Sequence, residues 1–200
     1  MNRIPNAFRA IVQVDRHLAL QPDQCVVLRE LGAAATLTHV NVDCRGCEHL
    51  FAFTLDMRTP GGHAIPLSDH TSKAVTSKWN KVCDGIFVWR DTGASCWRVL
   101  VCDLKSDTPH GSDWKEQLWS SACFVDYLIS IMRRFHPDVP ILVPIHFHAV
   151  TFHGGRGASG RGKRTTKIRS GIGYPTTALD APGKLPVKNR QYIPLRALCV

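Results

Sequence analysis

The sequence predicts an α/β domain in which a mixed central sheet is built around one hairpin and flanked by helices. Its 200 residues suffice for one compact domain, and 44% hydrophobic with 20% charged residues is ordinary globular composition, which excludes wholesale disorder. Two segments carry the prediction. Residues 82–105 are typical of two apolar strands joined by a turn, and residues 112–134 repeat apolar side chains at helical spacing.

The segments before the hairpin are less regular. We expect a short strand at 12–14. A proline and an aspartate ahead of an apolar run predict a short helix over 22–31. Residues 34–44 are β-branched and alternating, which predicts a strand, whereas 44–57 are compatible with either a helix or a strand.

The hairpin itself is predicted as strands 82–90 and 96–105, joined by the five-residue turn 91–95. The second strand is apolar on both faces. Such a strand lies in the middle of a sheet that is covered on both sides, so we place it at the centre of the domain.

The helix over 112–134 spans about 22 residues, or roughly 33 Å. It is followed by an apolar segment, 139–152, in which two prolines predict an edge strand or a bent strand. We expect His146 and His148 to line the solvent side of that strand. The final residues, 190–200, are compatible with one last strand.

Three polar residues stand in the hairpin where apolar residues are expected. Strand alternation places Asp103 and Lys105 on the same face. With a five-residue turn, Asp84 falls opposite Cys102, and a one-residue bulge would bring it opposite Asp103. Two carboxylates would then converge beside an ammonium group. The alternative is an edge hairpin in which Asp84 caps a turn and the other two form a surface salt bridge.

Converging carboxylates repel each other and lose hydration, and a divalent cation resolves both costs. Asp84, Asp103 and the carbonyl of Leu104, together with water, make a hard-oxygen site of the kind that accepts Mg²⁺, with Mn²⁺ as a substitute. Lys105 would then orient or deprotonate an attacking water, or neutralise charge on a pentavalent phosphate.

This arrangement resembles the PD-(D/E)XK nuclease superfamily, the restriction-endonuclease-like fold. The resemblance rests on Asp84, 18 intervening residues, Asp103-Leu104-Lys105 on a hairpin, and the long helix that follows, and it covers 82 to about 150. It implies a restriction-endonuclease-like core and Mg²⁺-dependent hydrolysis of phosphodiester bonds. Gln117, on the helix, is similar to a glutamine that many members use to position the water.

Two departures from the superfamily pattern concern the surroundings of the motif. Cys83 stands where many members have a proline before the first aspartate. Members often supply a further acid upstream, for which Glu30 and Glu48 are the candidates. Of the two, Glu48 is slightly favoured and is included among the expected catalytic residues.

The resemblance also bears on substrate and context. It implies an endonuclease acting on nucleic acid, with DNA favoured over RNA, that can work as a homodimer and belongs to bacterial defence or a mobile element. The rival function is a non-catalytic nucleic-acid-binding or assembly protein that keeps a nuclease-like fold.

The net charge of +9 is concentrated in the last quarter of the chain. Residues 1–153, the expected nuclease-like core, carry 15 basic and 15 acidic residues, whereas 154–200 carry 10 basic residues and one acid. We assign this basic Gly/Arg-rich segment and the final strand to the same domain. Flexible cations can follow a phosphate backbone without reading sequence, so we expect nucleic-acid contacts here. The expected contact residues are Arg156, Arg161, Lys163, Arg164, Lys167 and Arg169.

Eight cysteines lie mostly in apolar runs, where cysteine behaves as a small buried hydrophobe. No secretory signal and no membrane-spanning apolar run is evident, so we expect a cytoplasmic protein with reduced thiols and no membrane contact. Cys44 and Cys47 have a spacing that zinc accepts, and His63 and His70 could complete such a site. A zinc-stabilised interaction module is therefore a third, weaker interpretation.

Overall fold

The computed structural model of the chain describes residues 3–30, 35–56, 82–111, 113–136, 144–154, 171–172 and 183–199. Within these ranges the protein is a mixed α/β structure with two α-helices and two mixed sheets, as the sequence predicts at this level. No helix in these ranges is long and apolar enough to cross a membrane.

The elements follow one another in a strand-rich order, with the long helix placed between two central strands. They are α1 (Arg3–Ile11), a 3₁₀ turn (Val14–Arg16), β1 (Cys25–Arg29), β2 (His39–Asp43), β3 (Glu48–Phe53), β4 (Gly85–Asp91), β5 (Cys96–Lys105), α2 (Asp113–Phe135), β6 (Ile145–His153), β7 (Gly171–Ile172), β8 (Gly183–Pro186), β9 (Tyr192–Pro194) and a second 3₁₀ turn (Leu195–Leu198).

The larger sheet contains six strands in the order β3-β4-β5-β6-β7, and β8 also pairs with β6. The strands β4 and β5 form the predicted antiparallel hairpin, and β6 runs parallel to β5. The strand β5 is buried along almost its whole length, which confirms its predicted central position. The helix α2, confirmed over nearly its predicted length, provides the crossover from β5 to β6.

The two faces of this sheet are covered differently. Odd-numbered residues of β5 and β6, such as Val99 and Phe147, pack with α1 and α2. Even-numbered residues, such as Leu100 and Val150, pack against a smaller sheet in the order β1-β2-β9. The central sheet is therefore covered by helices on one face and by a second sheet on the other.

The predicted helix over 22–31 is wrong, because this segment forms strand β1. It pairs with β2 over five residues, and Val26 and Leu28 are buried on one face while Arg29 is exposed. β-Branched residues and alternating burial favour the strand once a partner strand is present. The ambiguous segment 44–57 is likewise a strand, β3, over Glu48–Phe53.

Two further expectations are corrected. Residues 12–14 do not form a strand; they lead from the end of α1 at Ile11 into a 3₁₀ turn that begins at Val14. The strand β6 lies inside the sheet rather than at its edge, since it pairs with β5 on one side and with β7 and β8 on the other. Pro144 precedes the strand and Pro140 lies outside the described residues, so neither proline interrupts the strand as described. His148 is consequently fully buried instead of facing solvent.

Residues 183–199 contribute to both sheets. The strand β8 extends the large sheet beside β6, and β9 pairs in parallel with β2. The predicted last strand over 190–200 is confirmed as the short strand β9, which a 3₁₀ turn follows.

Candidate active site

The register of the hairpin brings the two predicted aspartates together. Gly85 pairs with Cys102 and Asp91 with Cys96, so the turn has four residues rather than the expected five. One step beyond the last pair, Asp84 lies opposite Asp103, and no bulge is needed. The backbone amide of Leu104 donates a hydrogen bond of 2.5 Å to Asp84 Oδ2, which fixes this carboxyl group against β5.

Both carboxyl groups are almost completely buried, with 7% of Asp84 and 2% of Asp103 exposed. They are hydrogen-bonded to each other. Lys105 Nζ lies 2.8 Å from Asp103 Oδ2, and 31% of this lysine side chain is exposed. The three side chains therefore form a compact acid–acid–ammonium cluster, and Lys105 leads from it to solvent.

The electrostatics of the carboxyl pair are unfavourable. Burial raises the pKa of Asp84 well above its usual range, and the charge of Asp103 raises it further. Burial also raises the pKa of Asp103, although the Lys105 charge and the hydrogen bond with Asp84 offset part of this effect. The favoured state therefore has a protonated Asp84 that donates to an ionised Asp103, which in turn pairs with Lys105.

Lys105 remains an ammonium group in this environment. Burial disfavours its charge, but the charge of Asp103 and the hydrogen bond with it outweigh burial and raise the pKa of Lys105. A protonated lysine donates hydrogen bonds and cannot accept a proton. Of the three roles expected for Lys105, the raised pKa thus favours orientation of water and charge neutralisation over deprotonation of water.

The structure separates Glu48 from this cluster and brings Glu30 towards it. Glu48 is exposed and pairs with Arg90, six residues along β4 from Asp84, or about 20 Å at the rise of a strand. The charge of Glu30, by contrast, contributes to the raised pKa values of Asp84 and Asp103. The preference for Glu48 over Glu30 is therefore corrected.

The approach of Glu30 depends on a glycine at the start of β4. A Cβ atom at Gly85 would overlap the Leu28 side chain and come within 3.1 Å of Cys102 Sγ. The absence of a side chain lets β1, which carries Leu28 and ends next to Glu30, pack directly over the hairpin. The same contact explains why this upstream acid is near the carboxyl pair.

The helix α2 holds the segment that leads into Asp84. Gln117 Nε2 donates to the Val82 carbonyl at 3.5 Å, so the expected glutamine is close to the site but contacts the backbone. Ser121 Oγ accepts from the Cys83 amide at 2.8 Å and donates to the Gln117 carbonyl at 2.9 Å. Sequence reasoning missed Ser121, although a serine on the buried, apolar face of α2 was a detectable signal.

The donor set fits a hard divalent cation in part. Asp84 and Asp103 would hold it, because two buried carboxyl groups in contact offer hard oxygen atoms and a repulsion that a cation removes. Among the described residues there is no group of three or more His, Cys, Asp or Glu side chains placed to hold a metal ion. The Mg²⁺ assignment and the Leu104 carbonyl ligand therefore stay predictions.

The cysteine pair is not arranged as a zinc site in the part of the chain that the structure describes. Cys44 is buried and donates to the Val42 carbonyl, and burial raises the pKa of its thiol. Burial also raises the pKa of Cys47 to about 11. Protonated thiols are poor zinc ligands, and His63 and His70 lie outside the described residues. All eight cysteines are free.

The six basic residues of the expected nucleic-acid contact, Arg156, Arg161, Lys163, Arg164, Lys167 and Arg169, lie outside the described residues. Their role stays a prediction from charge alone. In comparisons with known proteins, no family model, no curated protein and no solved structure matches this chain.

Proposed function

We propose that the chain is a Mg²⁺-dependent endonuclease that hydrolyses phosphodiester bonds in nucleic acid, DNA in preference to RNA. The observation that carries this proposal is the buried contact between Asp84 and Asp103, with Lys105 Nζ 2.8 Å from the second carboxylate. A buried acid pair with raised pKa values is costly to the fold, and such costs are characteristic of catalytic sites. The restriction-endonuclease-like core belongs to the same proposal.

Each residue has a role that its surroundings support. Asp84, held by the Leu104 amide, and Asp103 supply carboxylate oxygens to the cation, which would activate water and stabilise charge on the phosphate. Lys105 orients the water or stabilises the developing negative charge through its ammonium group. Gln117 keeps the segment before Asp84 against α2, and Glu30 adds negative charge nearby.

The test is cleavage of a supercoiled plasmid and of a labelled oligonucleotide in Mg²⁺, in Mn²⁺ and in EDTA. We expect Asp103→Asn and Lys105→Met each to lower the rate by about a hundredfold to a thousandfold, because each removes a group that stabilises the transition state. The matched control is Lys115→Met, an exposed lysine on α2 whose replacement should leave the rate within about twofold.

Cleavage by the wild-type protein in EDTA, or full activity of Asp103→Asn, would contradict the proposal. Binding of the plasmid without cleavage in Mg²⁺ would instead identify a non-catalytic nucleic-acid-binding protein. A homodimer, a cytoplasmic location and a place in bacterial defence or a mobile element follow from the same proposal and need separate measurements.

The basic segment has a distinct expected contribution. Replacing Arg156, Arg161, Lys163, Arg164, Lys167 and Arg169 with glutamine should weaken nucleic-acid binding and flatten its salt dependence. The slope of log Kd against log salt should fall by about 0.9 for each phosphate of duplex DNA that the protein no longer neutralises. The cleavage rate at saturating substrate should change little, because the expected catalytic groups lie at 84–105. An unchanged slope would show that the segment does not bind phosphate.

A further inference from the structure

Three polar side chains outside the hairpin lie on the same face of the sheet as the carboxyl pair. In the parallel pairing of β5 with β6, Thr151 is the partner of Asp103 and His153 is the partner of Lys105. In the next pairing, Lys184 of β8 is the partner of Thr151. Side chains of paired residues project to one face, on strands about 4.8 Å apart. Polar side chains therefore extend from the carboxyl pair across β6 and β8.

Thr151 carries a buried hydroxyl that has no hydrogen-bond partner in the part of the chain that the structure describes. The residue is fully buried, and its Oγ1 makes no hydrogen bond to any described residue. A buried hydroxyl without a hydrogen bond destabilises the folded state. The preceding residues on this face of β6, Phe147 and Ala149, are apolar, so a valine would continue the pattern. A threonine here, between Asp103 and Lys184, calls for a group that the hydroxyl can bind.

Lys184 is a cation without a carboxylate partner in the described residues. Its ammonium group donates to the Pro109 carbonyl at 2.8 Å and lies 4.9 Å from the centre of the Trp114 ring. These contacts hold the nitrogen in place and leave its charge unneutralised, with two donors still available.

His153 completes the group beside Lys105. The residue is 7% exposed, and its Nδ1 lies 3.4 Å from Thr108 Oγ1. This contact holds the imidazole ring and leaves Nε2 without a hydrogen bond to any described residue. The surroundings of Lys184 and His153 thus combine one fixed positive charge with one free ring nitrogen.

We propose that Thr151, His153 and Lys184 form an oxyanion subsite that binds a phosphate group next to the carboxyl pair. The identity of the phosphate rests on the proposed function, which makes it part of a nucleic-acid backbone. The site is then divided between two halves. Asp84, Asp103 and Lys105 act on the bond that breaks, while β6 and β8 hold a phosphate oxygen.

The test compares Lys184→Met with Lys188→Met, using a short oligonucleotide in EDTA so that binding is measured without cleavage. Methionine keeps the apolar stem over Trp114 and removes the charge. We expect Lys184→Met to weaken binding about tenfold, or about 1.4 kcal/mol. The control removes an exposed lysine four residues later and should change binding by less than about twofold. Equal affinities for the two variants would overturn the subsite.

Two further measurements do not depend on Lys184→Met being folded. Titration of the wild-type protein with inorganic phosphate should shift the ring signals of His153, assigned by comparison with His153→Gln, in nuclear magnetic resonance spectra. Thr151→Val keeps the shape of the side chain, so it should fold and bind phosphate less tightly by about threefold or more. Unchanged ring signals and unchanged phosphate affinity in Thr151→Val would overturn the subsite.

The outcomes separate this inference from the proposed function. Weaker oligonucleotide binding by Lys184→Met with no cleavage by the wild-type protein would support the subsite and refute the nuclease. Mg²⁺-dependent cleavage by the wild-type protein, with binding unaffected by Lys184→Met, would support the nuclease and refute the subsite. Binding of inorganic phosphate without the oligonucleotide would support a subsite for a small free anion.

Discussion

The hairpin of β4 and β5 carries two polar clusters, one half-buried and one buried, at opposite ends and on opposite faces of the sheet. Next to the turn, Arg98 Nε lies 2.6 Å from Asp91 Oδ2. The same guanidinium donates to the Cys199 carbonyl at 2.7 Å and lies 3.1 Å from His148 Nε2. One negative and one positive charge are therefore matched, and the cluster attaches the C-terminal segment to the central sheet.

At the other end, two acids, Asp84 and Asp103, lie together, and within the described residues only the Lys105 ammonium group pairs with either of them. The pKa values of the acids reflect this difference. Burial opposes ionisation of Asp91, but the hydrogen bonds from Arg98 and from the Ala94 amide outweigh it and lower the pKa of that carboxyl. At the Asp84 end, burial and the second acid raise the pKa instead.

The Arg98 cluster stabilises the fold, whereas the carboxyl pair destabilises it. Ionisation of Asp91 stabilises the folded state, whereas ionisation of Asp84 destabilises it. Burial lowers the pKa of His148 to about 3, with the charge of Arg98 contributing, so this imidazole is neutral and adds no charge to the balanced cluster. A site that the fold tolerates at a cost is the better candidate for function.

The largest expected effect is on the balanced cluster. Arg98→Met should lower the free energy of unfolding by about 1.5–3 kcal/mol, because it leaves the half-buried Asp91 carboxylate without its cation and without the hydrogen bond from Arg98. Urea denaturation followed by circular dichroism measures this change. Arg134→Met, an exposed arginine in the last turn of α2, is the control and should change stability by less than about 0.5 kcal/mol. A decrease below about 1 kcal/mol for Arg98→Met would show that the cluster is not structural.

The sequence predicts both clusters to different degrees. The hairpin, the helix α2 and the carboxyl pair follow from local periodicity and from polar residues in apolar strands. The register depends on the turn: Asp91, and not Arg90, pairs with Cys96, which leaves a four-residue turn and places Asp84 opposite Asp103 without a bulge. Only the structure shows that Arg98 contacts His148 and Cys199, because those contacts join residues 50 and 101 positions apart.

The position of the upstream acid and the pairing of the neighbouring strands could not be predicted either, because both depend on contacts between residues that are distant in sequence. Glu30 lies near the site because β1 is a strand that packs over Gly85, and tertiary pairing with β2 overrides the local helix signal. From the sequence, Lys184 is only one of the basic residues of the segment 154–200. Its position beside Thr151 depends on the parallel pairing of β8 with β6, which no local pattern encodes.

A smaller effect of opposite sign is expected at the carboxyl pair. Asp84→Asn should raise the free energy of unfolding by about 1 kcal/mol at pH 8, since an amide is neutral without taking up a proton and its oxygen still accepts from Leu104. In the wild-type protein the folded-state pKa of Asp84 is raised, so stability falls as pH rises from about 3.9 through that pKa. The variant should lose this fall, as measured by urea denaturation across pH.

Asp91→Asn is the matched variant at the other end of the hairpin, and its pH dependence should have the opposite sign. Because the folded-state pKa of Asp91 is lowered, its stabilisation is present above about pH 3.9 and is lost as pH falls through the folded value. The asparagine variant should be less stable than the wild-type protein at pH 8 and should lose that acid dependence. If both variants destabilise the protein at pH 8, the carboxyl pair is as structural as the Arg98 cluster, and the cost that marks it as a functional site is absent.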